Sequence, residues 1–172
     1  MIALTLRGVT KANWETCIQL RPAEGRERFV ASNVYSLAES KFLTNMRPLA
    51  IYQEEEMVGF LMYGIDPDDD NYWVYRLMVD RNHQRQGYGK GAMKLLLEKL
   101  RDEAERDLLV IGYHPENEGA DRLYASLGFE KNGHGLPGVR GSRRCGCVER
   151  GNLIIEIGSF FVGGQCWDSK CE

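Results

Sequence analysis

A short segment near the middle of the chain has the residue types of an anion-binding site: residues 84–90 have the sequence QRQGYGK. The first N–H groups of a helix lack backbone partners and are partly positive, so a helix that begins here would attract a phosphate. The two glycines let the backbone approach an anion closely, and the basic side chains add positive charge. The candidate anion-binding residues in this segment are Gln84, Arg85, Gln86, Gly87, Tyr88, Gly89 and Lys90.

The spacing of these residues excludes two common phosphate motifs. A P-loop would need Gly-x4-Gly-Lys-Ser/Thr, which the segment lacks. The dinucleotide fingerprint would need a third glycine and a shorter connection to the preceding strand. Two glycines by themselves are as typical of a plain turn as of an anion site. The elements on either side of the segment therefore decide its interpretation.

The elements on either side predict that the segment connects a strand to a helix. Residues 72–79 are rich in aromatic and branched side chains, which favours a strand. Apolar residues recur at steps of three and four from Met93 to Ala104, as on one face of a helix. Residues 108–113 then predict a buried strand, and residues 117–127 a second amphipathic helix. This order predicts a βαβα unit whose two strands are parallel.

The first half of the chain predicts a strand, two helices and a hairpin, followed by an acidic loop. Short apolar and branched runs between polar turns favour the strands, and a cluster of aspartates around a proline favours the loop. The expected bounds are residues 2–9 for the strand, 11–20 and 23–43 for the helices, 49–52 and 57–63 for the hairpin strands, and 66–71 for the loop.

In this setting the glycine segment resembles the acyl-CoA signature Gln/Arg-x-x-Gly-x-Gly/Ala of the GNAT superfamily of N-acetyltransferases, met here by Gln84, Gly87 and Gly89. A second block, about 30 residues further on, resembles the superfamily element Asn-x-x-Ala…Tyr-x-x-x-Gly-Phe and contains Asn117 and Tyr124. The two blocks occur in the order that is typical of the family. They imply a single-domain α/β fold, in which helices flank a mixed, partly antiparallel twisted sheet.

The resemblance also implies a cosubstrate and roles for individual residues. Acetyl-CoA would be the acetyl donor, and no metal would be needed. Asn117 would contact the pantetheine arm or nearby backbone, and Tyr124 would protonate the departing CoA thiolate. Backbone N–H groups around Met78 and Val79 would polarise the thioester carbonyl. Without the resemblance, Asn117 is well explained as a helix N-cap and Tyr124 as a core aromatic residue.

The general base is left open by the sequence. Transfer to an amine requires a neutral nitrogen, a polarised carbonyl and a proton for the leaving thiolate. A carboxylate such as Glu39 or Asp80 could deprotonate the amine through water, and no feature of the sequence distinguishes the two.

Two further segments, residues 29–39 and 73–80, resemble bacterial spermine and spermidine acetyltransferases. This resemblance implies that the acceptor is a polyamine. It also implies substrate-binding roles for Asn33, Glu39 and Tyr75.

The charge distribution agrees with a cationic acceptor. Residues 1–80 have a net charge of −4, whereas residues 81–150 have a net charge of +3. Because an exposed ion pair contributes about 0–1 kcal/mol, these acids would need to line a cleft to hold a polyamine. The acidic residues concerned are Glu24, Glu27, Glu39 and the aspartates of residues 66–70.

Two other functions are compatible with the same motifs. The protein could acetylate an amine of a protein or of an antibiotic, which binding tests with peptides and polyamines would distinguish. It could instead be a non-catalytic sensor that binds acyl-CoA and turns over no amine.

Length and composition favour a single globular domain. The chain has 172 residues, of which 43% are hydrophobic and 27% charged. No apolar run approaches the roughly 18 residues of a membrane helix. The sequence also lacks the dense basic run that would predict nucleic-acid binding. Because no signal peptide is recognised, we expect a cytoplasmic protein that acts on a small molecule. A homodimer is compatible with the sequence.

The C-terminal residues differ in character from the rest of the chain. We assign residues 1–132 to the acetyltransferase domain and leave residues 133–172 as a Gly/Cys-rich segment without an assigned fold. Weak strand patterns occur at residues 153–157 and 159–162. The late cysteines are spaced Cys-x-Cys and Cys-x4-Cys, which is not a usual zinc pattern, so we expect reduced thiols.

Overall fold

The computed structural model describes residues 3–103, 105–131, 154–158, 161–162 and 165–166 of the chain. Its strands are β1 (Leu4–Gly8), β2 (Met46–Gln53), β3 (Glu56–Ile65), β4 (Tyr72–Val79), β5 (Leu108–Gly112), β6 (Glu130–Lys131), β7 (Ile154–Gly158), β8 (Phe161–Val162) and β9 (Gln165–Cys166). Its α-helices are α1 (Trp14–Gln19), α2 (Asn33–Phe42), α3 (Tyr88–Glu103) and α4 (Glu118–Ala125), with short 3-10 helices at Glu27–Phe29 and Arg81–His83. Among these described residues, no helix is long and apolar enough to cross a membrane.

Seven of the described strands form one sheet in the order β1-β2-β3-β4-β5-β7-β6. The pairs among β1, β2, β3 and β4 are antiparallel, whereas β4–β5, β5–β7 and β6–β7 are parallel. A tight turn joins β2 to β3, while α3 crosses over between β4 and β5, which makes that pair parallel. β8 and β9 form a separate antiparallel pair. The prediction of a mixed, partly antiparallel α/β sheet with flanking helices is confirmed.

Helices cover both faces of the sheet, and strand β3 is buried on each. Leu61 and Tyr63 belong to the apolar cluster that includes α3 and α4, whereas Phe60 and Met62 belong to the cluster that includes α1. This division follows the two-residue period of a strand. The predicted apolar stripe of α3 is confirmed for Met93, Leu96, Leu97 and Leu100, which are buried against the sheet. Its last predicted member, Ala104, lies outside the described residues.

The predicted continuous helix over residues 23–43 is wrong. Gly25 has a φ of +75°, a left-handed conformation that an α-helix does not contain. After the 3-10 helix Glu27–Phe29 the chain is extended, and α2 begins at Asn33. Its N-cap is Ser32, whose hydroxyl accepts the Tyr35 N–H. A loop of residues 20–32 therefore separates α1 from α2, and part of it borders the site described below.

The C-terminal segment contributes a strand to the main sheet. β7 (Ile154–Gly158) lies between β5 and β6 and is parallel to both. It overlaps the weak strand pattern at residues 153–157, and β8 falls within 159–162. The boundary at residue 132 stays a prediction. Of the late cysteines, Cys166 is in β9, and the other three lie outside the described residues.

Candidate active site

Strands β4 and β5 pair over three residues each and then separate. Tyr72–Val74 on β4 lie opposite Leu109–Ile111 on β5. β4 nevertheless continues to Val79, paired on its other side with β3 as far as Gly59. Where two parallel strands diverge, the backbone groups of the inner edge have no partner from the neighbouring strand. The second half of β4 therefore borders an open cleft.

The cleft has a volume of about 690 Å³ and is bordered by β4, the start of α3, the end of β5, α4 and residues 22–30. Its described lining contains five Arg or Lys side chains but one carboxylate, that of Glu24. Such a surface favours an anionic ligand. In the described part of the chain, no group of three or more His, Cys, Asp or Glu side chains could hold a metal ion. The cationic residues of the lining are Arg26, Arg76, Arg85, Lys90 and Arg122.

Gly87 and Gly89 have different structural roles at the start of α3. Gly87 has a φ of +81°, where a residue with a Cβ is strained, and its carbonyl accepts the Gly91 N–H at 2.9 Å. A Cβ placed on Gly89 would meet Leu123 and Val79 at 3.6 and 3.7 Å, which is ordinary contact. The backbone conformation therefore requires glycine at position 87, whereas a requirement at position 89 would have to come from a ligand.

Six of the seven predicted anion-binding residues border the cleft. Gln86 is the exception, and its side chain accepts a hydrogen bond from the Tyr88 hydroxyl at 3.0 Å. Gln84 donates through Nε2 to the Val79 carbonyl at 3.2 Å. This bond attaches the loop before α3 to the end of β4. The residues of the predicted segment at the cleft are Gln84, Arg85, Gly87, Tyr88, Gly89 and Lys90.

The amide of Val79 faces the cleft, whereas that of Met78 faces β3. Successive residues of an antiparallel strand direct their N–H and C=O groups to alternate sides. The Asp80 N–H donates to the Val58 carbonyl of β3 at 2.9 Å, so Met78 faces β3 as well and Val79 faces away. The bond from Gln84 to the Val79 carbonyl agrees with this direction. Of the two amides predicted to polarise a carbonyl, the alternation therefore favours Val79.

Tyr124 on α4 borders the cleft, although it is 5% exposed. Its ring lies 5.5 Å, between centroids, from the rings of both Tyr113 and Phe129. Burial, and then the neighbouring Tyr113 hydroxyl, raise the pKa of Tyr124 well above its usual value. The phenol therefore keeps its proton at neutral pH and can serve as a donor.

Asn117 is the N-cap of α4 and also borders the cleft. Its Oδ1 accepts the Ala120 N–H at 3.2 Å, which satisfies one of the unpaired donors of the first turn. The N-cap interpretation of Asn117 is confirmed. Its predicted contact with a cofactor arm stays a prediction.

The three predicted substrate-binding residues do not all border the cleft. Tyr75 borders the cleft, and its hydroxyl donates to Asp66 at 2.8 Å. Asn33 is 3% exposed and donates through Nδ2 to the Cys17 carbonyl at 2.8 Å, so it links α2 to α1. Neither Asn33 nor Glu39 is among the described residues that border the cleft. Their roles in substrate binding stay predictions.

Arg76 is a residue of the cleft that the sequence analysis missed. It is 4% exposed, it borders the cleft, and its Nη1 donates to the Tyr75 carbonyl at 2.8 Å. Its Nη2 donates to Glu39 at 3.0 Å, while Nε has no hydrogen-bond partner in the described part of the chain. Burial lowers the pKa of Arg76, and the Glu39 carboxylate opposes this shift. A single arginine in an alternating strand is usually exposed, so the sequence carried no signal of this burial.

Asp80, one of the two carboxylates considered as a general base, is engaged in holding backbone. It accepts the Arg21 N–H at 2.9 Å and the Asn82 N–H at 3.0 Å. Burial raises the pKa of Asp80, but these two hydrogen bonds and nearby His83 outweigh it, so the net shift is downward. A carboxylate with a lowered pKa is a weaker base. Asp80 therefore fits a structural role at the end of β4.

The fold and the motifs agree with comparisons to known proteins. Residues 12–129 match the GNAT family of acetyltransferases. Two curated relatives are the probable spermine N(1)-acetyltransferase of Bacillus subtilis subsp. natto and the spermine/spermidine N(1)-acetyltransferase of Bacillus subtilis (strain 168). Each is 28% identical over 138 residues, covering 77% of this chain and 91% of the relative.

Solved structures of acetyltransferases have the same fold. The spermidine N-acetyltransferase from Vibrio cholerae, in complex with CoA and spermine, matches with a TM-score of 0.63 at 16% identity, over 77% of this chain and 84% of that one. The ribosomal-protein-S18-alanine N-acetyltransferase from Escherichia coli matches with a TM-score of 0.57 at 19% identity, over 73% and 77%. The family match spans more than half of the chain. The chain therefore belongs to the GNAT family and is an acetyl-CoA-dependent N-acetyltransferase.

Proposed function

We propose that the protein transfers the acetyl group of acetyl-CoA to a primary amine of a polyamine such as spermidine or spermine, in the cleft between β4 and β5. The observation that carries the chemistry is the meeting of three groups at the separated strands. These are the start of α3, the outward amide of Val79 and the buried phenol of Tyr124. The polyamine acceptor is supported by the two curated relatives, which are named for spermine and spermidine.

The cleft has the charge and shape to hold the phosphates of CoA. α3 begins at Tyr88, which borders the cleft together with Gly87, and the N–H groups at the start of a helix favour an anion. Arg85, Lys90 and Arg122 border the same space and supply positive charge. We assign the pyrophosphate to residues 84–90 and the pantetheine arm to the region of Asn117.

Val79 is positioned to stabilise negative charge on the thioester oxygen. Its N–H faces the cleft beyond the last paired residues of β4 and β5. A fixed backbone donor at that place stabilises the oxygen most when its charge develops during attack. We assign this role to Val79; Met78, its neighbour in β4, borders the same cleft.

Tyr124 supplies the proton for the leaving group. The neutral amine nitrogen forms a bond to the acetyl carbon, and the carbon–sulfur bond breaks. The sulfur takes the phenolic proton, and the proton lost by the amine passes through water to solvent, from which Tyr124 is reprotonated. Because burial raises the pKa of Tyr124, the phenol is protonated at the start of each turnover.

Acidic groups near Tyr75 support a cationic acceptor. The hydroxyl of Tyr75 donates to Asp66, and the carboxylates of Asp69 and Glu39 also raise the pKa of Tyr75, after burial and Asp66. Glu24 borders the cleft itself. We propose that the charged nitrogens of a polyamine that are not acetylated lie on this side of β4.

A second acceptor class is favoured by one observation. The described lining of the cleft has five Arg or Lys side chains and a single carboxylate, which would repel a polycation from its inner part. An amine of a protein or an antibiotic, carrying fewer charges, would meet less repulsion. A sensor that binds acyl-CoA without turnover is the third interpretation.

Release of CoA thiol from acetyl-CoA, measured over a panel of amines, separates these proposals. We expect turnover with spermine or spermidine, and a KM for the polyamine that rises with salt because a multivalent cation is screened. Turnover of an aminoglycoside or a peptide amine, with no polyamine accepted, would replace the polyamine proposal. CoA binding without thiol release on any amine would indicate the sensor.

We also propose that the protein is cytoplasmic and has no nucleic-acid partner. A homodimer is compatible with the proposed function. Gel filtration with light scattering would test the assembly.

A further inference from the structure

We infer that Tyr113 and Asp121 are positioning residues that hold the phenol of Tyr124 where the thiolate leaves. The hydroxyl of Tyr113 donates to Oδ1 of Asp121, and the Tyr113 ring packs against that of Tyr124. The inference rests on the proposed role of Tyr124 as general acid. Nothing in the sequence motifs pointed to either residue.

The hydrogen bond joins two elements that meet at the cleft. Tyr113 directly follows β5, and Asp121 lies in the middle of α4, one turn before Tyr124. Residues three apart on a helix lie on the same face, so Asp121 and Tyr124 both face the end of β5. The bond therefore fixes the face of α4 that carries Tyr124 relative to the separated strands.

The ring of Tyr113 also forms one wall of the Tyr124 pocket. The two ring centroids are 5.5 Å apart, with 39° between the ring planes, and the Phe129 centroid also lies 5.5 Å from that of Tyr124. Burial, and then the bond to Asp121, raise the pKa of Tyr113, so its hydroxyl remains a donor over the working pH range. Without this acceptor the half-buried Tyr113 hydroxyl would bond to water, and its bond to α4 would no longer fix the ring beside Tyr124.

Other contacts already dock α4 onto the fold, so the Tyr113–Asp121 bond can affect the position of Tyr124 without being needed for folding. Asn117 caps the helix, and Leu123 and Leu127 pack against the main core. A general acid must lie within hydrogen-bond reach of the leaving atom, a much stricter requirement than helix docking. Loss of the Tyr113–Asp121 hydrogen bond should therefore lower kcat clearly while changing the free energy of unfolding little.

A double-mutant cycle with Tyr124→Phe tests the inference. Tyr113→Phe keeps the ring and removes the hydroxyl, and Asp121→Asn keeps the shape and removes the charge. We expect Tyr113→Phe to lower kcat about 10-fold. We expect a smaller fall for Asp121→Asn, because its amide oxygen still accepts a weaker hydrogen bond, and an unchanged KM for acetyl-CoA in both. In the Tyr124→Phe background, neither should lower kcat further, because the proton they position is already gone. Ser126→Ala, on the exposed end of α4, is the matched control and should leave kcat unchanged.

The readout is the rate of CoA thiol release. The acceptor is spermidine, or the fastest amine of the panel if spermidine is not accepted. If no amine is accepted, hydrolysis of acetyl-CoA by water is followed instead. A fall in kcat of equal size in both backgrounds would mean that the pair has a general structural role. Wild-type kcat in both single variants would also overturn the inference. If Tyr124→Phe turns over at the wild-type rate, both the general-acid role of Tyr124 and the positioning role of Tyr113 and Asp121 are wrong. Amine-dependent thiol release would in that case still support the acetyltransferase activity. Should Asp121→Asn not fold, Tyr113→Phe decides alone.

Discussion

Arg76 on β4 and Glu39 on α2 form an ion pair beside the cleft, with 3.0 Å between Nη2 and Oε2. The Arg76 side chain is 4% exposed and that of Glu39 is 19% exposed. A buried charge that loses its partner is strongly destabilising, because it remains desolvated without compensation. Glu39 therefore has a role in the fold that is independent of any role in substrate binding.

Glu39→Gln should lower the free energy of unfolding by about 3 kcal/mol, because the Arg76 guanidinium would be left buried beside a neutral amide. Urea unfolding followed by circular dichroism measures this change. Glu27→Gln, at an exposed position before α2, is the matched control and should have no effect. Unchanged stability with a raised KM for spermidine would favour the predicted substrate-binding role of Glu39 instead.

Asp80→Asn should remove part of the acid sensitivity of the fold. In the folded protein the pKa of Asp80 is lowered from 3.8, so its stabilisation is complete above that value and is lost as the pH falls through the folded pKa. The variant should therefore be less stable than wild type at pH 7, and the difference should shrink as the pH falls below about 4. Urea unfolding at several pH values checks the slope. Asp68→Asn, in the exposed acidic loop, should keep the wild-type slope; a wild-type slope for Asp80→Asn would contradict the assignment.

Substitutions at Gly87 and Gly89 should differ in their effects on stability. Gly87→Val forces a β-branched residue to a φ of +81°, which should cost about 1–2 kcal/mol and weaken CoA binding at least tenfold by displacing the start of α3. Gly89→Ala should keep or raise the melting temperature, because its Cβ has room and alanine favours a helix. Thermal melts and calorimetry with CoA measure both quantities. Unchanged CoA affinity in Gly87→Val would remove the segment from the binding site.

Tyr124→Phe should lower kcat by about 10²- to 10⁴-fold, as expected for loss of a general acid. The affinity for CoA should stay close to wild type, since the ring and its packing are retained. Tyr35→Phe, which removes a hydroxyl from an exposed position of α2, should leave kcat unchanged. Stopped-flow detection of thiol release, with calorimetry for CoA, distinguishes the two effects. Wild-type turnover in Tyr124→Phe would exclude the phenol as the proton donor.

The sequence by itself determined the elements that carry the site. The apolar stripe of α3 from Met93, the buried strand β5 and the order of the two motif blocks were all predicted and found. These features depend on local patterns: the 3.6-residue period of a helix, the composition of a strand and the glycines between them. Tyr124 and six of the seven residues 84–90 border the cleft for the same reason, since their elements place them there.

The tertiary structure alone decided which side chains meet and where the cleft opens. The separation of β4 from β5 after Val74 depends on the register of two strands that are joined through α3. Arg76 and Glu39 are 37 residues apart, and Asn33 turned out to bond to Cys17 away from the cleft. Such contacts arise from long-range packing, which a local pattern of residue types does not encode. The sequence therefore placed the candidate site residues on their helices and strands, whereas the packing of α2 against the sheet determined the ion pair of Arg76 with Glu39.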